Sequence, residues 1–137
     1  MGNRLMVLIL MVAVVVLTAC GGGDGEPDGP SQELLLEVAS EINKGGPMMV
    51  DRETELVNVG AEPSAIVYNY RLVNLTAADI TAEEIQALKP TVVNSACSQP
   101  KTRQDFLDQG IAMKYSYSAK DMVFLTEFTV EPSDCSA

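Results

Sequence analysis

The chain has 137 residues, enough for one small domain, and carries 19 acidic against 9 basic residues, a formal net charge of −10. This balance argues against binding nucleic acid, and against binding anionic lipid through charge. The sequence contains no histidine and no tryptophan. Without histidine it lacks the commonest general base, the Ser-His and Cys-His pairs and most ligand sets for catalytic zinc. The composition therefore predicts a protein that is not an enzyme and that holds neither a cofactor nor a metal.

The N-terminal segment has the pattern of a signal peptide. Residues 5–17 follow Arg4 without a single charge, and this run is shorter than the roughly 20 residues that span a membrane. It ends at residues 17–20, Leu-Thr-Ala-Cys, and three glycines follow. An uncleaved anchor would need the apolar run to continue, and an ordinary secretory signal would need a better-placed pair of small residues.

Residues 17–20 resemble the lipobox of bacterial lipoproteins, in which a leucine and two small residues precede a lipidated cysteine. The resemblance implies that residues 1–19 are a signal peptide and that Cys20 carries the lipid. It also implies a cell-envelope protein held on the exported side of a membrane. Gly21, rather than aspartate, implies sorting to the outer membrane, facing the periplasm, in a cell with two membranes.

Residues 20–31 are predicted to form a flexible, acidic, glycine-rich tether, because they offer nothing apolar to bury. Asp24, Glu26 and Asp28 imitate the start of a calcium-binding loop. The twelfth position of such a loop holds a bidentate glutamate, whereas here it is Leu35. The pattern therefore favours a solvated spacer over a metal site.

Two cysteines remain once Cys20 is assigned to the lipid. Export permits disulfides, and Cys97 and Cys135 allow one pairing. The alternative is a reactive thiol, but the chain has neither a histidine nor a CxxC pattern that would activate one. The prediction is a structural disulfide, which stabilises the fold by about 4 kcal/mol through chain entropy.

Residues 32–137 are predicted to form a single domain that begins with a helix. Leucine, valine, alanine and isoleucine recur at three- and four-residue steps, which predicts a helix over residues 31–44 with Ser31 as its N-cap. Capping-box spacing at Thr76, Thr81 and Thr102 predicts short helices in the middle of the domain.

Alternating apolar and polar residues predict two β-hairpins. The first combines residues 54–59 and 65–75, and the second combines residues 111–118 and 122–130. The predicted fold class is α+β, with about four antiparallel strands in two hairpins, helices on one face and one disulfide.

The domain is also similar to a small exported domain of uncharacterised membrane-tethered bacterial proteins. The resemblance implies an α+β domain with one disulfide and implies no activity. The matching residues are 47–51 (Pro-Met-Met-Val-Asp), 53–54 (Glu-Thr), 68–70 (Tyr-Asn-Tyr), 72–74 (Leu-Val-Asn), Cys97, Gly110, 115–117 (Tyr-Ser-Tyr) and 134–135 (Asp-Cys).

We expect a lipid-anchored, non-enzymatic interaction module that binds an envelope protein or the cell wall. Its expected contact surface, near the tether, consists of Met48, Met49, Asp51, Arg52 and Glu53, where an apolar stretch meets a charged one. The alternative is a small-ligand-binding or surface-exclusion lipoprotein, which would need an apolar pocket of about 300 Å³ or more.

Overall fold

The computed structural model describes residues 31–135. The predicted signal peptide, Cys20 and all of the predicted tether except Ser31 lie outside the described residues. The helices are α1 (Gln32–Asn43), α2 (Ala82–Gln86), α3 (Lys89–Ser98) and α4 (Pro100–Asp105). The strands are β1 (Met48–Met49), β2 (Thr54–Glu62), β3 (Ala65–Leu72), β4 (Ala112–Ser118) and β5 (Phe124–Val130). No helix in this described part combines the length and the apolar character that a membrane span requires.

Helix α1 begins and ends where the sequence predicts. The Ser31 hydroxyl accepts a hydrogen bond from the backbone N–H of Leu34 at 3.3 Å, which confirms the predicted N-cap. Leu35 and Ala39 point into the core and are buried. After the helix, Gly46 takes a positive φ of 68°, a conformation that favours glycine, and the chain turns towards β1.

The sheet corrects the predicted topology. It has five strands in the order β1-β2-β3-β4-β5, and the pairing between β3 and β4 is parallel. The two predicted hairpins, β2 with β3 and β4 with β5, are confirmed as antiparallel pairs. The prediction of about four strands, all antiparallel, was wrong in two respects: the sheet has a fifth strand, β1, and the two hairpins join through a parallel pair. Residues 73–111 carry the chain through α2, α3 and α4 back to the start of β3, which is the long crossover that a parallel pair requires.

Strand β2 contains a bulge, where the register shifts between Leu56 and Asn58. Because of it, Leu56 and Val59, which would lie on opposite faces of a regular strand, both face the helices and are buried. Asn43, the last residue of α1, forms hydrogen bonds with this strand. Its side-chain amide donates to the Val59 carbonyl at 2.8 Å and accepts from the Val59 N–H at 2.7 Å.

Replacing Asn43 with alanine should lower the free energy of unfolding by about 2 kcal/mol, because both backbone groups of the buried Val59 lose their partner. Denaturant unfolding followed by circular dichroism measures the effect. Asn58→Ala is the matched control: it removes an exposed side-chain bond to Asn69 from the same strand and should cost less than about 1 kcal/mol. Equal losses in both variants would contradict this explanation.

Of the three capping boxes predicted for the middle helices, the structure confirms one. Thr81 and Glu84 form a reciprocal box that opens α2. At Thr76 the partner Asp79 accepts bonds from the backbone and the hydroxyl, yet the segment forms a turn and no helix. The prediction at Thr102 was wrong, because α4 starts earlier, with a proline in its first turn.

All the helices pack on one face of the sheet, as predicted, and bury one core. Its largest fully buried side chains are Leu35, Ile66, Leu107, Ile111, Met113 and Val130. The other face carries ion pairs, such as Arg71 with Glu55 at 2.8 Å. The disulfide is confirmed between Cys97 on α3 and Cys135, with 5.2 Å between their Cα atoms.

Candidate functional site

An open groove lies between α1 and α4, and we call it the helix groove. Its volume is about 730 Å³. Apolar side chains cover its floor and polar side chains its rim. The floor consists of Leu34, Leu35, Val38, Ile42, Tyr68 and Phe106, and the rim of Gln99, Lys101, Thr102, Gln104, Asp105 and Gln109.

Leu34 shows that the groove is open to solvent. This leucine is 45% exposed although it belongs to the apolar face of α1. Leu36, on the same helix, is 51% exposed but does not line the groove. From Leu34 to Ile42 the floor extends about 12 Å along α1, or just over two helical turns.

A second opening lies over four tyrosines. The parallel register places Tyr68 beside Tyr115 and Tyr70 beside Tyr117, all on the face that carries the helices. Their rings stack in a row with centroids 5.4–6.3 Å apart and planes within 25° of parallel. Phe128 closes one end, edge-on to Tyr117. Side chains stand roughly perpendicular to a sheet, so stacked rings direct their hydroxyl ends away from it.

The space above these rings, which we call the tyrosine cavity, has a volume of about 380 Å³ and lies between the sheet and α3. Burial raises the pKa of all four tyrosines, so the phenols stay protonated at neutral pH. Its other polar groups come from Asp51, Thr54, Thr91, Ser95, Gln99 and Thr102.

Asp51 lies on the loop between β1 and β2. One of its carboxylate oxygens accepts from the N–H of Glu53 at 2.7 Å and from the N–H of Thr54 at 2.8 Å. The bond from Glu53 is the largest of the effects that hold the pKa of Asp51 below its usual value. Two causes raise the pKa of Tyr117: burial is the larger, and the negative charge of Asp51 is the second. Asp51 is exposed, and its ionised carboxylate is held by the loop and acts electrostatically on the phenol of Tyr117.

The surface predicted from the sequence is exposed and lies at the opposite end of α1 from Ser31. Met48 and Met49 form edge strand β1 and are 46% and 51% exposed. Met48 lies next to Gly45, after the C-terminal end of α1, whereas the predicted tether joins at the other end. Arg52 and Glu53 are exposed on the loop that follows. Of the five predicted residues, only Asp51 lines the tyrosine cavity.

Apart from Asp51, the residues that line the two openings were not predicted as site residues from the sequence. Leu34 contributes to the apolar steps that predict α1, and no local signal indicates that it remains exposed. The tyrosines lie on strands predicted from alternation, which does not indicate that they line a cavity. Within residues 31–135, no three acidic or cysteine side chains converge in a way that could hold a metal ion.

The fold and its openings define a small α+β domain with a disulfide-pinned C-terminus. Three solved structures have a similar fold, and the chain covers most of each. A pilotin of the type II secretion system of Vibrio vulnificus matches with 14% identity and a TM-score of 0.64, over 77% of this chain and 92% of that one. The type II secretion pilotin of Vibrio cholerae matches with 18% identity and a TM-score of 0.59, over 76% and 91%.

The third structure is a protein of Pseudomonas aeruginosa that is predicted to be secreted. It matches with 19% identity and a TM-score of 0.63, over 77% of this chain and 92% of that one. No protein-family model and no curated protein sequence matches this chain. The similarity at these identities shows a shared fold with exported and secretion-system proteins.

Proposed function

We propose that this protein is a lipid-anchored, non-enzymatic component of the cell envelope that binds another envelope protein through the helix groove. The observation that carries the proposal is the open apolar floor between α1 and α4, with Leu34 half exposed to solvent. Exposed apolar grooves rimmed by polar residues are typical of protein-binding surfaces. Two pilotins of type II secretion systems share the fold, which supports a role as an accessory of an envelope assembly.

The proposed anchor is a lipid on Cys20, after removal of residues 1–19. The tether would then join the domain at Ser31, three residues before Leu34, so the helix groove opens near the point of attachment. A flexible tether of about ten residues spans roughly 15 to 20 Å. The groove would therefore stay close to the membrane surface, where it can meet the membrane-proximal part of a partner.

The partner segment that fits the groove best is an amphipathic helix. A floor just over two turns long accepts apolar side chains at positions i, i+3 or i+4 and i+7 of such a helix. Lys101 and Asp105 form an ion pair of 2.7 Å at the rim, so the rim offers both charges to polar residues of the partner.

Leu34→Glu should reduce capture of the partner by about tenfold or more, because it places a charge on the apolar floor. The measurement is crosslinking in intact cells, with mass spectrometry of proteins captured with the full-length chain. Leu36→Glu is the matched control, on the same helix and equally exposed but outside the groove, and it should capture normally.

Two further variants separate this proposal from its competitors. Cys20→Ala should lose both membrane attachment and capture, which tests the anchor. Charge reversal of Asp51, Arg52 and Glu53 tests the surface predicted from the sequence. If that reversal abolishes capture while Leu34→Glu leaves it intact, the partner binds at β1 and the proposal for the groove is wrong.

A second candidate function, binding of a small ligand, is favoured by the tyrosine cavity. Its volume of about 380 Å³ exceeds the 300 Å³ that the sequence interpretation required. Its lining differs from the apolar pocket that was expected, because phenol, hydroxyl, amide and carboxylate groups face it.

A further inference from the structure

We propose that the tyrosine cavity binds an organic ammonium group, whose charge pairs with Asp51 and whose attached polar groups bond to the phenol hydroxyls. The inference rests on the second candidate function, small-ligand binding, and names the chemistry of the ligand. It does not depend on a partner at the helix groove, although the two openings share Tyr68, Gln99 and Thr102 as lining residues.

The charge of the cavity selects a cation. Asp51, an exposed residue, is the only charged side chain among the described residues that line the cavity. It also lines a neighbouring depression, where Arg52 and Glu53 are the other charged residues. One Asp51 oxygen is held by two backbone N–H groups, which fixes the direction of the carboxylate. A preorganised carboxylate gives a charge-assisted hydrogen bond to an ammonium group, and such bonds are stronger than neutral ones.

The phenols supply the remaining contacts. The four tyrosine side chains are half-buried. Within residues 31–135 their hydroxyls are not among the buried polar atoms that lack a partner, so the hydroxyl ends reach solvent and can exchange water for a ligand. Each phenol can donate one bond and accept another, so a ligand rich in hydroxyl or amide groups would satisfy them.

The volume limits the ligand to a small one. Ligand pockets commonly measure about 300 to 1,000 Å³, and 380 Å³ lies at the lower end of that range. A single amino sugar or one lysine side chain is of suitable size and chemistry. The ammonium group therefore has two sources, a free small molecule or a lysine of a partner protein.

The experiment uses NMR of the full-length chain in detergent, with ring-labelled tyrosine. All four tyrosines of the chain line this cavity. Tyr68 also lines the helix groove, so the signals of the other three tyrosines distinguish binding in the cavity from binding in the groove. Glucosamine is the probe for a free ligand, and Nα-acetyl-lysine methylamide is the probe for a partner's lysine. Glucose and Nα,Nε-diacetyl-lysine methylamide are the neutral counterparts of the two probes.

We expect at least one ammonium probe to shift the tyrosine signals saturably and to bind about tenfold more tightly than its neutral counterpart. Asp51→Asn keeps an oxygen that can accept the hydrogen bonds from the loop N–H groups, but it removes the charge. It should lower the affinity for the ammonium probe by about tenfold. Tyr70→Phe keeps the ring and removes one hydroxyl, and should weaken binding by about two- to tenfold. Asp79→Asn, in a similar exposed turn away from the cavity, should change nothing.

The outcomes separate the inference from the function on which it rests. Stronger binding of glucosamine points to a free ligand, and stronger binding of the lysine probe points to a partner's side chain. Binding of glucose but of neither cation would overturn the ammonium inference and keep small-ligand binding. No shift with any of the four probes would overturn both. An unchanged affinity in Asp51→Asn would also reject the inference.

Discussion

Replacing Cys97 and Cys135 together with alanine should lower the free energy of unfolding by about 4 kcal/mol. The bridge joins residues 38 positions apart, and closing a loop of that length removes about this much chain entropy from the unfolded state. The loss is large for a domain of this size, whose total stability is commonly about 5 to 15 kcal/mol. Both cysteines also pack against the core, so the variant should loosen the contact between α3 and the C-terminal turn.

Urea unfolding followed by circular dichroism measures this loss. The unmodified protein in the presence of a reductant is the matched control, because it breaks the same bond without changing the side-chain volume. Both samples should unfold at a lower urea concentration, and the alanine variant should shift at least as far as the reduced protein because it also loses the packing of the two sulfur atoms. A midpoint that does not move in either sample would mean that the bridge contributes little to stability, and that the packing of α3 on the sheet suffices.

Ile66→Ala should lower the free energy of unfolding by about 3 kcal/mol. Ile66 is fully buried at the start of β3, with Ala61 of β2 on one side and Met113 of β4 on the other. Truncating a buried isoleucine loses its transfer free energy and leaves a cavity that the neighbouring strands fill only in part. Because Ile66 lies where the two hairpins meet, the cavity would form at the parallel junction.

Two companion variants test whether burial is the cause. Ile66→Val removes one methylene group and should cost about 1 kcal/mol. Val67→Ala changes the next residue of the same strand, which is half-buried on the opposite face, and should cost about 1 kcal/mol or less. A loss for Val67→Ala as large as that for Ile66→Ala would contradict the assignment of the core to the helix-bearing face.

The periodic elements could be predicted from the sequence because their signals are local. The apolar steps that define α1 and the alternation that defines β2 to β5 depend only on neighbouring residues. The bulge near Val57 could not be predicted, because it depends on how β2 pairs with β3. Strand β1 has only two residues, which are too few to show a periodic signal of their own.

Most of the residues that form the two candidate sites could not be predicted from the sequence. The alternation places Tyr68 with Tyr70, and Tyr115 with Tyr117, on one face of their strands. Only the parallel register brings the two pairs together into one row. The helix groove likewise depends on how α1 lies relative to residues 99–109, because both segments line it.

Helix α1, the four longer strands and the two hairpins could be predicted from residue type and spacing along the chain. The same holds for the availability of Cys97 and Cys135 for one bridge. The parallel junction of β3 with β4, the tyrosine cavity and the open floor of the helix groove become visible only in the folded structure. These features arise from contacts between segments far apart in the chain, which depend on how whole elements pack and not on their local patterns.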